Sequence, residues 1–253
     1  MWRRSQNRFR QQRTTEMNIR TVKEGDYLYV VDTQSDLAHS PLSVFFDQHG
    51  SLLKNAERKG GRGDALIFKA GSKKVVMRHY RRGGLAGHLL KDRFFLIEPH
   101  AHRAFDEFRL LRYMVKEGLP VPSPLIAREK KCGCALIQDI LIEALDAEDL
   151  AHILRKRALS QIEMLRLGGM IKAFFEHGIE HTDLNIRNIL LDDHGNFYLI
   201  DFDKCFLSYP DMQRRSEIVS RLHRSFLKEK NKYADAIHYK DEDFALIQGR
   251  ALS

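Results

Sequence analysis

Three cysteines, six prolines and 16 glycines in 253 residues are too few for a disulfide scaffold or a collagen-like chain. No apolar run approaches the ~18 residues of a membrane-spanning helix. The best candidate, Ala135 to Leu145, is broken by Asp139 and Glu143. Arg3 and Arg4 are followed by no apolar stretch, so no secretory signal is expected. The cysteines, Cys132, Cys134 and Cys205, are odd in number, and two stand one residue apart. That spacing points to a reducing compartment and not to a disulfide framework. Cys132-Gly-Cys134 has no second Cys or His pair at matching spacing, so structural thiols are expected there in preference to a metal site.

What is present is 43% hydrophobic and 30% charged residues, the mix of a globular protein, which excludes wholesale disorder. Lys plus Arg number 42 against 34 Asp plus Glu, a net charge of +8. A basic balance calls for an anionic partner: nucleic acid, an acidic membrane surface or a phosphorylated substrate. No RNP-like aromatic motif or other nucleic-acid signature accompanies the charge, so no nucleic-acid partner is expected. Residues 1–16 hold five arginines (Arg3, Arg4, Arg8, Arg10, Arg13) against Glu16, which is half of the net charge in a segment without periodicity. It reads as a basic, disordered tail.

From Tyr27 to about Tyr80 strands and turns are expected. Ala65-Leu-Ile-Phe68 and Val75-Val-Met-Arg-His-Tyr80 read as a hairpin joined at Ala70-Gly-Ser72. From about Arg103 helices dominate. A helix over 103–117 ends at Gly118, and Pro120, Pro122 and Pro124 forbid its continuation. Residues 135–140 read as a buried strand. Ser160-Gln-Ile-Glu163 matches a capping box for a helix running to Gly178, and the chain beyond about Leu207 is mostly helical. The expected fold is α+β in two lobes, a strand-rich N-lobe over 17–140 and a helical C-lobe over 141–253.

The chemistry concentrates between His181 and Asp203. Ile189 to Leu191 and Phe197 to Ile200 read as two short strands joined by the turn Asp192 to Asn196. Asn188 precedes the first strand and Asp201 follows the second, so the two are expected side by side, roughly 5 Å apart at Cα. An amide oxygen and a carboxylate so placed suit Mg²⁺, which takes one or two carboxylates and fills its other positions with water and phosphate. Asp183, five residues before Asn188, is the candidate to accept a proton from an attacking hydroxyl. The pattern is H-x-D-x-x-x-x-N followed by D-F-x, the core of protein-kinase-like phosphotransferases.

Such a core needs a cation on a first-half strand to hold ATP phosphates, and a helix carboxylate to orient it. Val75-Val-Met-Arg78 resembles the V-A-I-K strand with Arg78 in the lysine position. With Phe105 set at zero and ~100° per residue, Leu110, Met114, Leu111, Val115 and Phe108 span roughly 140° to 300°. Glu107, near ~200°, is the charged residue inside that apolar arc, where it would be costly without a partner. Arg78 is the expected partner. Gly60-Gly-Arg-Gly63 lies just before the hairpin carrying Arg78, and its glycines would let backbone N–H groups approach phosphate.

Together, Gly60-Gly-Arg-Gly63, Arg78-His-Tyr-Arg-Arg-Gly-Gly84, Ala104-Phe-Asp-Glu-Phe-Arg-Leu-Leu111, Gly118-Leu-Pro-Val-Pro122, His181-Thr-Asp-Leu-Asn185 and Leu199-Ile-Asp-Phe-Asp-Lys204 resemble the 3-deoxy-D-manno-octulosonic acid (Kdo) kinase family. That family has Arg where protein kinases have Lys. The resemblance implies ATP-dependent phosphorylation of the 4-hydroxyl of a Kdo residue on a lipid A precursor during lipopolysaccharide core assembly. It implies Asp183, Arg78 and Glu107 as catalytic residues. Gly60, Gly61, Gly63, Arg78, Asn188 and Asp201 would bind ATP, with Mg²⁺ on Asn188 and Asp201. It also implies a peripheral location on the cytoplasmic side of the inner membrane. Arg81 and Arg82 are candidates for the anionic acceptor. They lie in a basic cluster beside Leu85-Ala-Gly-His-Leu-Leu90, a candidate patch for an anionic membrane surface. The other readings are a kinase of another small molecule or of protein, and a binding module without turnover. No A-P-E element follows Asp201, and a binder has no need of Asp183, Asn188 and Asp201 together.

Overall fold

The computed structural model describes residues 18–47, 49–54, 56–59, 65–80, 93–95, 101–233 and 236–253. The tail 1–16, the glycine motif (Gly60, Gly61, Gly63), Arg81, Arg82 and the 85–90 patch lie outside the described residues. The chain divides into two compact units, Met1–Arg112 with Pro122–Leu145, and Tyr113–Val121 with Asp146–Ser253.

The first unit is built on an antiparallel sheet. Its strands are β1 (Ile19–Glu24), β2 (Tyr27–Asp32), β3 (Glu57–Lys59), β4 (Ala65–Ala70), β5 (Lys73–His79), β6 (Phe94–Phe95), β7 (Pro124–Cys132) and β8 (Ala135–Glu143). They run in the order β1-β2-β7-β8-β5-β4-β3, with β6 paired to β8. The tight hairpins follow from glycine. Ala70 pairs with Lys73 and Cys132 with Ala135, and in both loops the first residue is a glycine at positive φ (Gly71 at 61°, Gly133 at 62°). This is the arrangement of a II′ turn, whose twist matches the flanking strands. Cys132-Gly-Cys134 is therefore a hairpin turn. All three cysteines are free, and among the described residues no His, Cys, Asp and Glu group for a metal is found.

Period-two alternation sets the faces. Leu66, Phe68, Val75 and Met77 point to one side and join Tyr29, Val31, Phe46 and Leu141 in a buried cluster. Two 3₁₀ segments, Asp36–His39 and Leu42–Phe46, and the short α1 (Ser51–Lys54) complete that cluster with Leu37, Leu42, Phe45 and Leu53. The longer α2 (Arg103–Lys116) meets the residues of the other face. Gln138 on β8 ties it there, accepting from Ala104 N–H (3.0 Å) and donating to the Ala101 carbonyl (2.7 Å). Helix α2 is buried on more than the expected arc, since Phe105 on the opposite side is also buried.

The second unit contains α3 (Leu150–Lys156), α4 (Gln161–Glu176), α5 (Met212–Tyr233) and α6 (Phe244–Leu252). Short strands β9 (Glu148–Asp149), β11 (Ile189–Leu191) and β12 (Phe197–Leu199) form one sheet, and β10 (Ile179–Glu180) pairs with β13 (Phe206–Leu207). Helix α4 starts at the expected capping box, with Glu163 N–H on Ser160 Oγ (3.2 Å) and Ser160 N–H on Glu163 Oε2 (2.7 Å). The Arg157 guanidinium, helped by those Ser160 bonds, holds the Glu163 carboxyl down at about 2. A depressed acid stabilises the fold above its ordinary 4.5, and the contribution fades as pH falls through about 2. The melting-temperature gap between the protein and its Glu163→Gln variant is therefore expected to be open at neutral pH and to have lost most of its size at pH 2. A gap that persists there in full would detach the effect from this carboxylate.

Helices α4 and α6 approach at Gly168. A Cβ placed there would lie 2.6 Å from Ile247 O and 2.7 Å from Arg250 Cβ. Gly168→Ala is expected to push α6 away and cost about 1–3 kcal/mol, the usual range for overpacking, despite alanine's better helix propensity. A lower urea midpoint checks this, and an unchanged midpoint would mean that the helices part freely.

Candidate active site

In the first unit, alternation along β5 sends Val75 and Met77 into the cluster and Arg78 to the opposite face. There Arg78 Nη2 lies 2.6 Å and 2.5 Å from the two carboxylate oxygens of Glu107. The Glu107 side chain is 2% exposed and that of Arg78 22%. A buried carboxylate needs such a partner, since removing its charge-assisted bonds leaves an uncompensated ion. Tyr80, absent from the sequence-based set, adds a third contact by donating to Glu107 Oε2 (2.5 Å).

In the second unit, the residues after β10 form a loop held from several sides. His181 is 4% exposed. Its Nδ1 accepts the Asp183 N–H (3.2 Å), so the proton sits on Nε2, which faces the Ile200 carbonyl (3.1 Å). Burial, the largest influence, lowers its pKa and keeps the ring neutral. One imidazole thus ties the backbone of Asp183 to the residue before Asp201. Phe202 packs edge-on against it at 5.0 Å and stacks on Phe174 of α4.

Asp183 is exposed. Asn185 Nδ2 donates to its carbonyl (2.9 Å) and to its Oδ2 (3.2 Å), and Asn188 Nδ2 donates to the same carbonyl (2.9 Å). Asn188 thus has its amide nitrogen engaged by the loop, and its oxygen is the end suited to a cation. From α5, Arg221 donates to the Thr182 carbonyl, Ser225 Oγ accepts Ile186 N–H (2.9 Å), and Glu229 pairs twice with Arg187 (both 2.9 Å). Asn185 carries a signal in the sequence as the last residue of His181-Thr-Asp-Leu-Asn185. The α5 partners stand about 40 residues away and carry none.

The hairpin forms with a register one residue from expectation. Ile189 pairs with Leu199 and Leu191 with Phe197, and Ile200 N–H bonds the Asn188 carbonyl (2.9 Å). Asn188 therefore stands opposite Ile200, not Asp201. The second strand stops at Leu199, and Asp201 takes a left-handed conformation (φ 66°) that turns the chain directly after Ile200. The site residues thus fall into two sets: Arg78 with Glu107 in the first unit, and Asp183, Asn188 and Asp201 along one loop and hairpin in the second.

An α+β fold that carries a loop aspartate, an Asn/Asp pair on a hairpin and a sheet cation paired to a helix glutamate is that of a protein-kinase-like phosphotransferase. Within that class the chain belongs to the lipopolysaccharide kinase (Kdo/WaaP) family, whose model matches residues 47–243. It is similar to proteins named 3-deoxy-D-manno-octulosonic acid kinase. That of Vibrio vulnificus is 40% identical over 85% of this chain and 92% of the relative. That of Vibrio parahaemolyticus is 36% identical over 86% and 92%. That of Photobacterium damsela subsp. piscicida is 38% identical over 75% and 78%.

Proposed function

We propose that this protein transfers the γ-phosphoryl group of ATP to the 4-hydroxyl of a Kdo residue on a lipid A precursor, in assembly of the lipopolysaccharide inner core. The observation that carries the reading is the Asp183–Asn188–Asp201 loop and hairpin in a chain of the Kdo/WaaP family. Asp183 orients the acceptor hydroxyl and takes its proton as the oxygen attacks phosphorus. Arg78, fixed by Glu107, neutralises charge on the ATP phosphates, and Gly60, Gly61 and Gly63 cover them with backbone N–H groups.

Asn188 and Asp201 offer two hard oxygen donors, too few for an all-protein cage and suited to Mg²⁺ that also binds phosphate. Bound there, Mg²⁺ would supply charge neutralisation and a fixed phosphate geometry. Positioning and electrostatics give most of the acceleration. The stretch from Asp201 to the start of α5 at Met212 holds only the two-residue β13 and is too brief for the phosphorylated activation loop typical of a protein kinase, which disfavours protein as the acceptor.

Among the described residues no helix is long and apolar enough to cross a membrane. We place the protein at the cytoplasmic face of the inner membrane through its lipid-linked acceptor, with Arg81 and Arg82 contacting the acceptor's anionic groups. Mass spectrometry of lipopolysaccharide core from cells with and without the gene tests the function. One phosphate on the inner-core Kdo is expected with the gene and none without it. The same phosphate in both strains, or in neither, would contradict the reading.

A further inference from the structure

The Arg78–Glu107 pair has a third member. Tyr80 stands two residues beyond Arg78, and its N–H continues the ladder by bonding the Gln138 carbonyl (3.0 Å), so its side chain shares the face of Arg78. It is 5% exposed. Two guanidinium groups approach its ring, with Arg78 Cζ 5.8 Å and Arg103 Cζ 5.6 Å from its centroid. Arg103 stands four residues before Glu107 on α2, so the ring meets the same helix that carries the acid. The hydroxyl donates to Glu107 Oε2, the oxygen that Arg78 Nη2 also reaches.

We propose that Tyr80 is a positioning residue for ATP binding: its hydroxyl anchors one oxygen of Glu107, so that the carboxylate keeps a single rotation and Arg78 a single orientation. The argument is one of torsions. A carboxylate bound by one cation alone rotates about its last torsion, and the guanidinium follows it. A second donor on a defined oxygen, fixed to the sheet and not to the helix, removes that freedom. Burial, and next to it the Glu107 charge, push the Tyr80 hydroxyl well above its ordinary range, so it stays a donor at every working pH. The ring, with Arg78 and Arg103 against it, sets where the hydroxyl stands. The inference rests on the reading of Arg78 and Glu107 as the ATP-orienting pair.

Steady-state kinetics of the full chain with ATP and Kdo-bearing lipid A precursor test it, with Tyr80→Phe, Glu107→Gln, their combination and Arg78→Ala. Tyr80→Phe keeps the ring and is expected to raise KM for ATP about tenfold, the effect of one hydrogen bond to a charged group. KM for the acceptor should stay unchanged, which a general structural defect would not allow. In the Glu107→Gln background the same change should alter KM for ATP by less than about twofold, because the two residues act through one contact. If Tyr80→Phe leaves KM for ATP unchanged while Arg78→Ala and Glu107→Gln raise it, the inference alone is overturned. If none of the three raises it, the reading of the pair falls as well. Equal effects in both backgrounds would make Tyr80 independent of Glu107. A Tyr80→Phe protein that does not fold would assign the hydroxyl to the fold and not to ATP.

Discussion

Asp183→Asn is expected to lower kcat by roughly 10²- to 10⁴-fold, the range for loss of a general base. The substitution is close to isosteric and removes the one capacity at issue, acceptance of a proton. Asp183 is exposed, so the change leaves no buried charge behind. The loop is held by backbone groups that the substitution does not touch: the Asp183 carbonyl under Asn185 and Asn188, and the Asp183 N–H on His181. Nucleotide affinity should therefore survive while turnover falls. Rapid-quench or steady-state assays with saturating ATP check this, and a variant with full turnover would remove Asp183 from the role.

Asp201→Ala is expected to abolish Mg²⁺-dependent binding of ATP, read by calorimetry with and without the metal. Mg²⁺ binds through one or two carboxylates, and Asn188 supplies none, so Asp201 carries the negative charge of the protein's share. A second effect travels with this variant. Asp201 sits at φ 66°, a region that aspartate and asparagine enter more readily than alanine, and the strain costs about 1–2 kcal/mol. Asp201→Asn separates the two, since it tolerates the conformation but loses the charge. The expected order is loss of metal-dependent binding in both variants and loss of thermal stability in Asp201→Ala. Unchanged nucleotide affinity with Mg²⁺ present would contradict the assignment.

Much of this was legible in the chain itself, for identifiable reasons. The hairpin at 189–199 announces itself because two apolar triplets flank a polar turn with Gly195. Glu107 stands out because a charge inside an apolar helical arc demands a partner, and Arg78 meets it in the structure. Registers are harder. A strand taken one residue too long, to Ile200 instead of Leu199, shifts the partner of Asn188, and nothing local reveals the left-handed turn at Asp201. The two 3₁₀ segments after β2 escape notice because four or five residues cannot display a helical period, and their burial is decided by the sheet they cover. Tyr80 reads as the end of a strand. Its bond to an acid 27 residues away exists only once β5 and α2 are packed together. Arg187 with Glu229 is the same case at a separation of 42.

The most direct measurement is phosphate transfer by the purified protein from γ-labelled ATP to three acceptors: Kdo-bearing lipid A precursor, the same precursor without Kdo, and a generic protein. The account predicts label on the first alone, with dependence on Mg²⁺. Label on the sugar-free lipid or the protein, or no transfer to the Kdo-bearing lipid under conditions where ATP binds, would contradict it.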